Sequence, residues 1–198
     1  MSQKQKIDID WMNVIKLGVI LLIIASIAAL SLAFTNVMTR EVIAQQKEQK
    51  NIQARQAVMK DATEFKPLEL ELDEGDVIIE VFEALKNGEF IGYTFKSSTK
   101  GYSGNVEVLT GVKQDGSIEA ITILTQTETP GLGARCVEPE FQSQFSNKSI
   151  DSPLDVVKSG AGDSKVQSIT GATITSTAVT TGVNAAIELS GELLGGAK

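Results

Sequence analysis

The segment best equipped for chemistry is Ser168-Ile169-Thr170-Gly171-Ala172-Thr173-Ile174-Thr175-Ser176. It falls where a short apolar strand is predicted to give way to a helix running toward the C-terminus. Gly171 and Ala172 carry no bulky side chain, so a ligand can approach the backbone closely there. The Thr173 hydroxyl sits at or just before the helix N-terminus, where unpaired N–H groups and the helix dipole favour a phosphate. The product is a hydroxyl beside an anion site. Standing alone, a hydroxyl-rich turn into a helix is most often only an N-cap, and Thr175, Ser176 and Thr177 read as capping and first-turn residues.

A second segment, Glu128-Thr129-Pro130-Gly131-Leu132-Gly133, follows directly on a predicted strand over residues 118–124. Pro130 fixes one φ angle and the glycines permit positive φ, so this is a rigid turn exposing its backbone. Leu132, held between glycines, can project as an apolar lid. Such a turn offers the apolar surface and amide groups that a flavin ring system needs. Gly101-Tyr102-Ser103-Gly104 lies upstream, ahead of another strand and the Asp115-Gly116 turn.

In this order, over roughly residues 80–194, the three segments resemble the FMN-binding subunits of the Rnf and sodium-pumping quinone reductase complexes. The resemblance implies that Thr173 carries FMN through a phosphoester bond, with Thr170, Gly171, Ala172, Ile174 and Thr175 around it. It also implies that residues 128–133 line the flavin site, and Tyr102 is a candidate to stack there. Short chain length favours the Rnf side, where such a protein relays electrons on the outer side of the membrane. The complex then couples ferredoxin–NAD⁺ electron transfer to Na⁺ or H⁺ movement. Its implied partners are the other membrane subunits and a flavin transferase that attaches the FMN. Two positions depart from the family pattern. Gln167 stands where an acidic residue is usual, which bears on modification, and Gln126 stands where a histidine is frequent. The alternatives are the quinone-reductase counterpart and, from another class, a cofactor-free anchored binding module.

Composition narrows the field independently. The 198 residues hold 18 basic and 25 acidic side chains, a net charge of −7 that disfavours nucleic acid. With no histidine, the commonest general base and metal ligand are missing. Cys136, the single cysteine, can form no internal disulfide and reads as a small packing residue. If electrons move through this chain, a flavin is the obvious carrier. Lys158 and Lys165 are the basic residues near the motif that can pair with a phosphoester.

Residues 17–39 carry no charge. As a helix they span about 35 Å, enough for a hydrocarbon core of about 30 Å. Lys4, Lys6 and Lys16 precede this stretch; Arg40, Lys47, Lys50 and Arg55 follow it. The charge count alone does not orient the segment. A lone N-terminal anchor of residues 17–39 commonly leaves residues 1–16 in the cytoplasm, which puts residues 40–198 outside the cytoplasmic membrane. The rival is a cleaved secretory signal ending at Ser31-Leu32-Ala33. Residues 40–76 read as a helical stalk and linker, docking near Met59 and closing on Pro67 and the acidic run 69–76. Beyond, strands are expected at 77–84, 90–97, 106–112 and 118–124, with a turn at Lys86-Asn87-Gly88-Glu89 and a hairpin at Asp115-Gly116. A short helix is expected at 140–146 through Phe141 and Phe145. A final helix has Val179, Val183, Ala186, Ile187, Leu193 and Leu194 on its apolar face and ends at Gly195-Gly196. The expected class is α+β: a transmembrane helix, then an antiparallel-sheet FMN-binding domain, 77–198, with packed helices.

Overall fold

The computed structural model describes residues 10–70 and 75–195. Lys4, Lys6, part of the acidic run 69–76 and Gly196 lie outside the described residues. The chain divides into two units, Met1–Gln49 and Lys50–Lys198.

Helix α1, Trp11–Val58, supplies the first unit and ends in the second. Asp10 caps it: its Oδ1 accepts from the N–H groups of Met12 at 3.2 Å and Asn13 at 3.3 Å. The helix is long and apolar enough to cross a membrane, with a mean hydropathy of 2.7 over its most apolar window. Its hydroxyls do not spoil that property. Ser31, Thr35 and Thr39 each donate to the carbonyl four residues back, at 2.9 Å, so these three hydroxyl protons are paired within the helix.

The second unit is built on a five-stranded antiparallel meander, in the order β1 (Glu64–Pro67), β2 (Ile78–Lys86), β3 (Glu89–Lys100), β4 (Asn105–Lys113), β5 (Ile118–Thr125). Strands β2 to β5 fall where alternation and turn residues place them. Asn87 and Gly88 both take positive φ, 52° and 88°, as the tight turn of a two-residue hairpin requires. At the other expected hairpin, Asp115 Oδ1 accepts from the Ser117 N–H at 3.0 Å and its hydroxyl at 2.6 Å. Strand β1, read from sequence as linker, instead forms an edge of the sheet against β2. Pro67 is tolerated there because an edge strand leaves one side unpaired.

Helix α3, Thr173–Gly195, covers one face of the sheet. Val179, Val183, Ala186 and Ile187 are buried as their spacing requires, whereas Leu193 and Leu194 are only half-buried. Contact is close because the facing residues are small. The Thr99 hydroxyl donates to the Ala178 carbonyl at 2.8 Å, and a Cβ on Gly182 would stand 2.5 Å from Ser97 Oγ. Phe141 and Phe145 meet edge to face at 5.5 Å in the same core. Their segment is not one α-helix but a single turn, α2 (Pro139–Gln142), followed by a 3₁₀ turn, Ser143–Phe145.

The opposite face carries the end of α1. Val58, Met59 and Ala62 are buried there against Ala84 and Leu109, the docking expected near Met59. Arg55, counted from sequence only as a charge after the span, is 5% exposed. Its guanidinium lies 3.6 Å from the Phe82 ring centre and 3.4 Å from Glu80, which also binds the buried Lys96 at 3.0 Å. Two short strands, β6 (Asp155–Val157) and β7 (Lys165–Gln167), pair in parallel. Strand β7 stands where a short strand is expected ahead of the motif, whereas its partner β6 is not foreshadowed by any sequence pattern. Buried Lys148 ties their connection down. Its ammonium donates to the carbonyls of Gly162, Asp163 (3.3 Å) and Lys165 (3.2 Å). This ribbon delivers the chain to residue 168.

Candidate functional site

Thr173 is the first residue of α3. The turn before it depends on Gly171, whose φ of +79° is strained for any residue with a Cβ. Ala172 N–H donates to the Ile169 carbonyl at 2.9 Å, and the helical ladder begins with Ser176 N–H to the Ala172 carbonyl at 3.0 Å. The N–H groups of Thr173, Ile174 and Thr175 precede that first bond, so they have no acceptor within the helix. Thr173 and Ile174 are exposed; Ala172 and Thr175 are buried. The only hydroxyl in Thr173–Ser176 open to solvent is thus that of Thr173, since Ser176 is fully buried.

Neither Thr175 nor Ser176 caps the helix as expected from sequence. The Ser176 hydroxyl donates back to the Ala172 carbonyl and accepts from Ile169 N–H, both at 3.0 Å, which locks the preceding turn. Thr175 points inward one helical position earlier and donates its hydroxyl to Glu128. Glu128 also accepts from the backbone N–H of Ser103 at 2.8 Å and of Tyr102 at 3.3 Å. One carboxylate therefore joins all three segments that carry the motifs. The fit leaves no slack: a Cβ on Gly133 would stand 2.5 Å from Thr175 Oγ1, and one on Gly101 would stand 2.7 Å from Glu128 Oε1. Gln126 contributes as well, its side-chain oxygen accepting from Glu128 N–H at 2.7 Å.

Burial raises the proton affinity of Glu128. The hydrogen bonds from Thr175, Ser103, Tyr102 and Gly104 oppose it and win, holding the carboxyl below its ordinary value of 4.5. The sign for stability follows. The unfolded chain binds this proton more readily, so the contribution of Glu128 is complete above about pH 4.5 and is lost as pH falls through the lower native value. Urea unfolding between pH 7 and pH 3 is expected to show that acid loss, and Glu128→Gln is expected to flatten it. The same charge, after burial, pushes the Cys136 thiol up to about 11, so it is protonated and inert at neutral pH.

Tyr102, Glu128, Thr129, Leu132, Gly133, Gly171, Ala172, Thr173, Ile174 and Thr175 line one cavity of about 620 Å³. That size suits a cofactor, and the walls mix apolar and polar groups as ligand sites do. Tyr102, Leu132 and Ile174 are its exposed apolar rim, at 71%, 45% and 56%. Leu132 leans over the motif, where a Cβ on Gly171 would stand 3.2 Å from its Cδ2. Three sequence-predicted residues are not in this lining. Pro130 and Gly131 form the exposed tip of their turn, and Thr170 faces a separate hollow beside Arg135 and Phe141. Thr173 also borders a second trough, on its other side, with Ser98, Lys100, Thr177 and Thr181. Lys100 escapes notice in the sequence because only the sheet register brings the end of β3 beside α3. Lys158 and Lys165 line neither space.

Residues 101–188 match the FMN-binding domain family, and residues 4–58 match the RnfG N-terminal region. The G subunit of the Na⁺-translocating ferredoxin:NAD⁺ oxidoreductase complex of Acetobacterium woodii is 42% identical, over 96% of this chain and 97% of that protein. The G subunit of the proton-translocating ferredoxin:NAD⁺ oxidoreductase complex of Clostridium ljungdahlii is 35% identical, over 82% and 83%. Among solved structures, the C subunit of the Na⁺-translocating NADH-quinone reductase of Parabacteroides distasonis shares the fold. Its TM-score is 0.53 at 23% identity, over 73% of this chain and 94% of that one. Fold and site thus define an FMN-binding-domain protein with an apolar helix ahead of the domain. The chain belongs to the family of G subunits of Rnf-type ion-translocating oxidoreductase complexes.

Proposed function

We propose that this chain is the electron-relaying G subunit of an Rnf-type complex, carrying FMN esterified to Thr173. The observation that carries this reading is the Thr173 hydroxyl, the one open to solvent within Thr173–Ser176, at a helix N-terminus on the edge of a cavity of about 620 Å³. The cavity accepts the ring, with Tyr102, Leu132 and Ile174 as apolar contacts. The first-turn N–H groups of α3 face the phosphodiester, a charge placement worth about 0.3–1 kcal/mol when exposed. Lys100 and the hydroxyls of Thr177 and Thr181 border the same point from the second trough. Once bound, a flavin supplies one- and two-electron transfer. The protein contributes position and electrostatics, since it has no histidine for proton transfer.

Residues 17–39 then cross the membrane, with 1–16 cytoplasmic, 40–76 as stalk and linker, and the FMN-binding domain outside. In that compartment no flavin pool replaces a lost cofactor, so an ester bond that only hydrolysis can break has a clear use. Attachment falls to a flavin transferase acting on the exposed Thr173. Electrons pass to and from the neighbouring membrane subunits, and their flow drives movement of Na⁺ or H⁺. Mass spectrometry of the peptide 166–198 from native membranes tests the assignment. The expected mass is that of the peptide plus riboflavin phosphate less water, localised to Thr173. An unmodified peptide from cells with active transferase refutes it.

A further inference from the structure

We propose that Glu128 acts as a fixed negative charge in the cavity wall that holds down the midpoint potential of the bound flavin. The inference rests on the FMN reading above and adds to it a determinant of potential. Glu128 lines the cavity and is 5% exposed, so water and salt screen it weakly. It cannot swing away. The Tyr102 and Ser103 N–H groups and the Thr175 hydroxyl hold it, and Gly101 and Gly133 press on it from two sides. Its low proton affinity keeps it ionised at neutral pH. None of the residues lining this cavity is basic, so no opposite formal charge within the wall cancels it.

Reduction changes the charge of the ring. Two electrons from the reductant and one proton from solvent turn the neutral oxidised ring into a monoanion. A neighbouring carboxylate repels that added charge, favours the oxidised form and lowers the potential. Because Glu128 acts through its charge, removing the charge while keeping the shape is the discriminating change.

Full-length, flavin-loaded protein in detergent, titrated with dithionite against redox dyes and followed by visible absorbance, gives the midpoint. Glu128→Gln is expected to raise it, with the difference preserved between low and high salt. Thr175→Val keeps the carboxylate charged but removes a donor to it, and is expected to leave the midpoint at or below the wild-type value. A Glu128→Gln midpoint at or below wild type overturns the proposal. Should that variant not fold, a Thr175→Val midpoint above wild type overturns it, and one at or below supports it. A loaded Glu128→Gln protein with an unmoved potential defeats only the charge assignment. Wild-type protein without covalent flavin, from a host with active transferase, defeats the FMN reading and this inference together.

Discussion

Thr173→Ala is expected to abolish covalent flavin completely, seen as loss of the fluorescent band on a denaturing gel. Thr175→Ala is expected to keep that band. The two threonines are two residues apart, yet their surroundings are opposite. Thr173 is exposed on the cavity edge, whereas Thr175 is 1% exposed and spends its hydroxyl on Glu128. A transferase can reach the first and not the second. Thr175→Ala instead loses a hydrogen bond to a buried charge, so it is expected to cost about 1.5–3 kcal/mol of stability. The pair of variants, made in a host with active transferase, separates attachment from scaffolding. Equal loss of the band in both would undo the assignment within the motif.

Gly133→Ala is expected to be strongly destabilising, because its methyl would enter the hydrogen-bonded knot at the site. The added Cβ would stand 2.5 Å from Thr175 Oγ1, 2.7 Å from Glu128 Oε2 and 2.9 Å from Glu128 Cβ. None of these atoms is free to yield, because each is fixed by the hydrogen bonds that join the three segments. Overpacking of about 1–3 kcal/mol adds to a disrupted charged hydrogen bond of about 1.5–3 kcal/mol, so a loss of about 3 kcal/mol or more is expected. Gly131, two residues earlier, has open space around its Cβ position and a φ of +77°. Alanine there meets only backbone strain of about 1–2 kcal/mol. Urea unfolding of both variants in detergent measures the contrast, and equal losses would contradict the packing argument.

The parts of the fold legible in the sequence are those set by local rules. Alternation along β2 to β5 and the Asn-Gly and Asp-Gly turns define the meander before any tertiary contact is known. The spacing of Val179, Val183, Ala186 and Ile187 likewise gives the buried face of α3. What stays hidden depends on pairing across distance. A three-residue strand such as β6 is too short to show a period, and β1 gains its identity only from β2. At the site, local chemistry in Gly171-Ala172-Thr173 is readable, but the partnership of Glu128 and Thr175 spans 47 residues. Thr175 therefore reads as a cap, and proximity in sequence points to Lys158 and Lys165 where Lys100 stands. Arg55 misleads for the same reason: a charge in a polar run reads as solvated until Phe82 and Glu80 come beside it.

The ammonium of Lys148 fills a ring of three peptide oxygens in the strap ahead of the attachment turn. Rings of that kind commonly recruit a dissolved metal ion, and with one they would loosen or tighten as the ionic medium changes. Here the counter-charge is built into the chain. The approach to Thr173 can therefore keep one shape as the ionic medium changes, in a family whose relatives are named for moving either Na⁺ or protons.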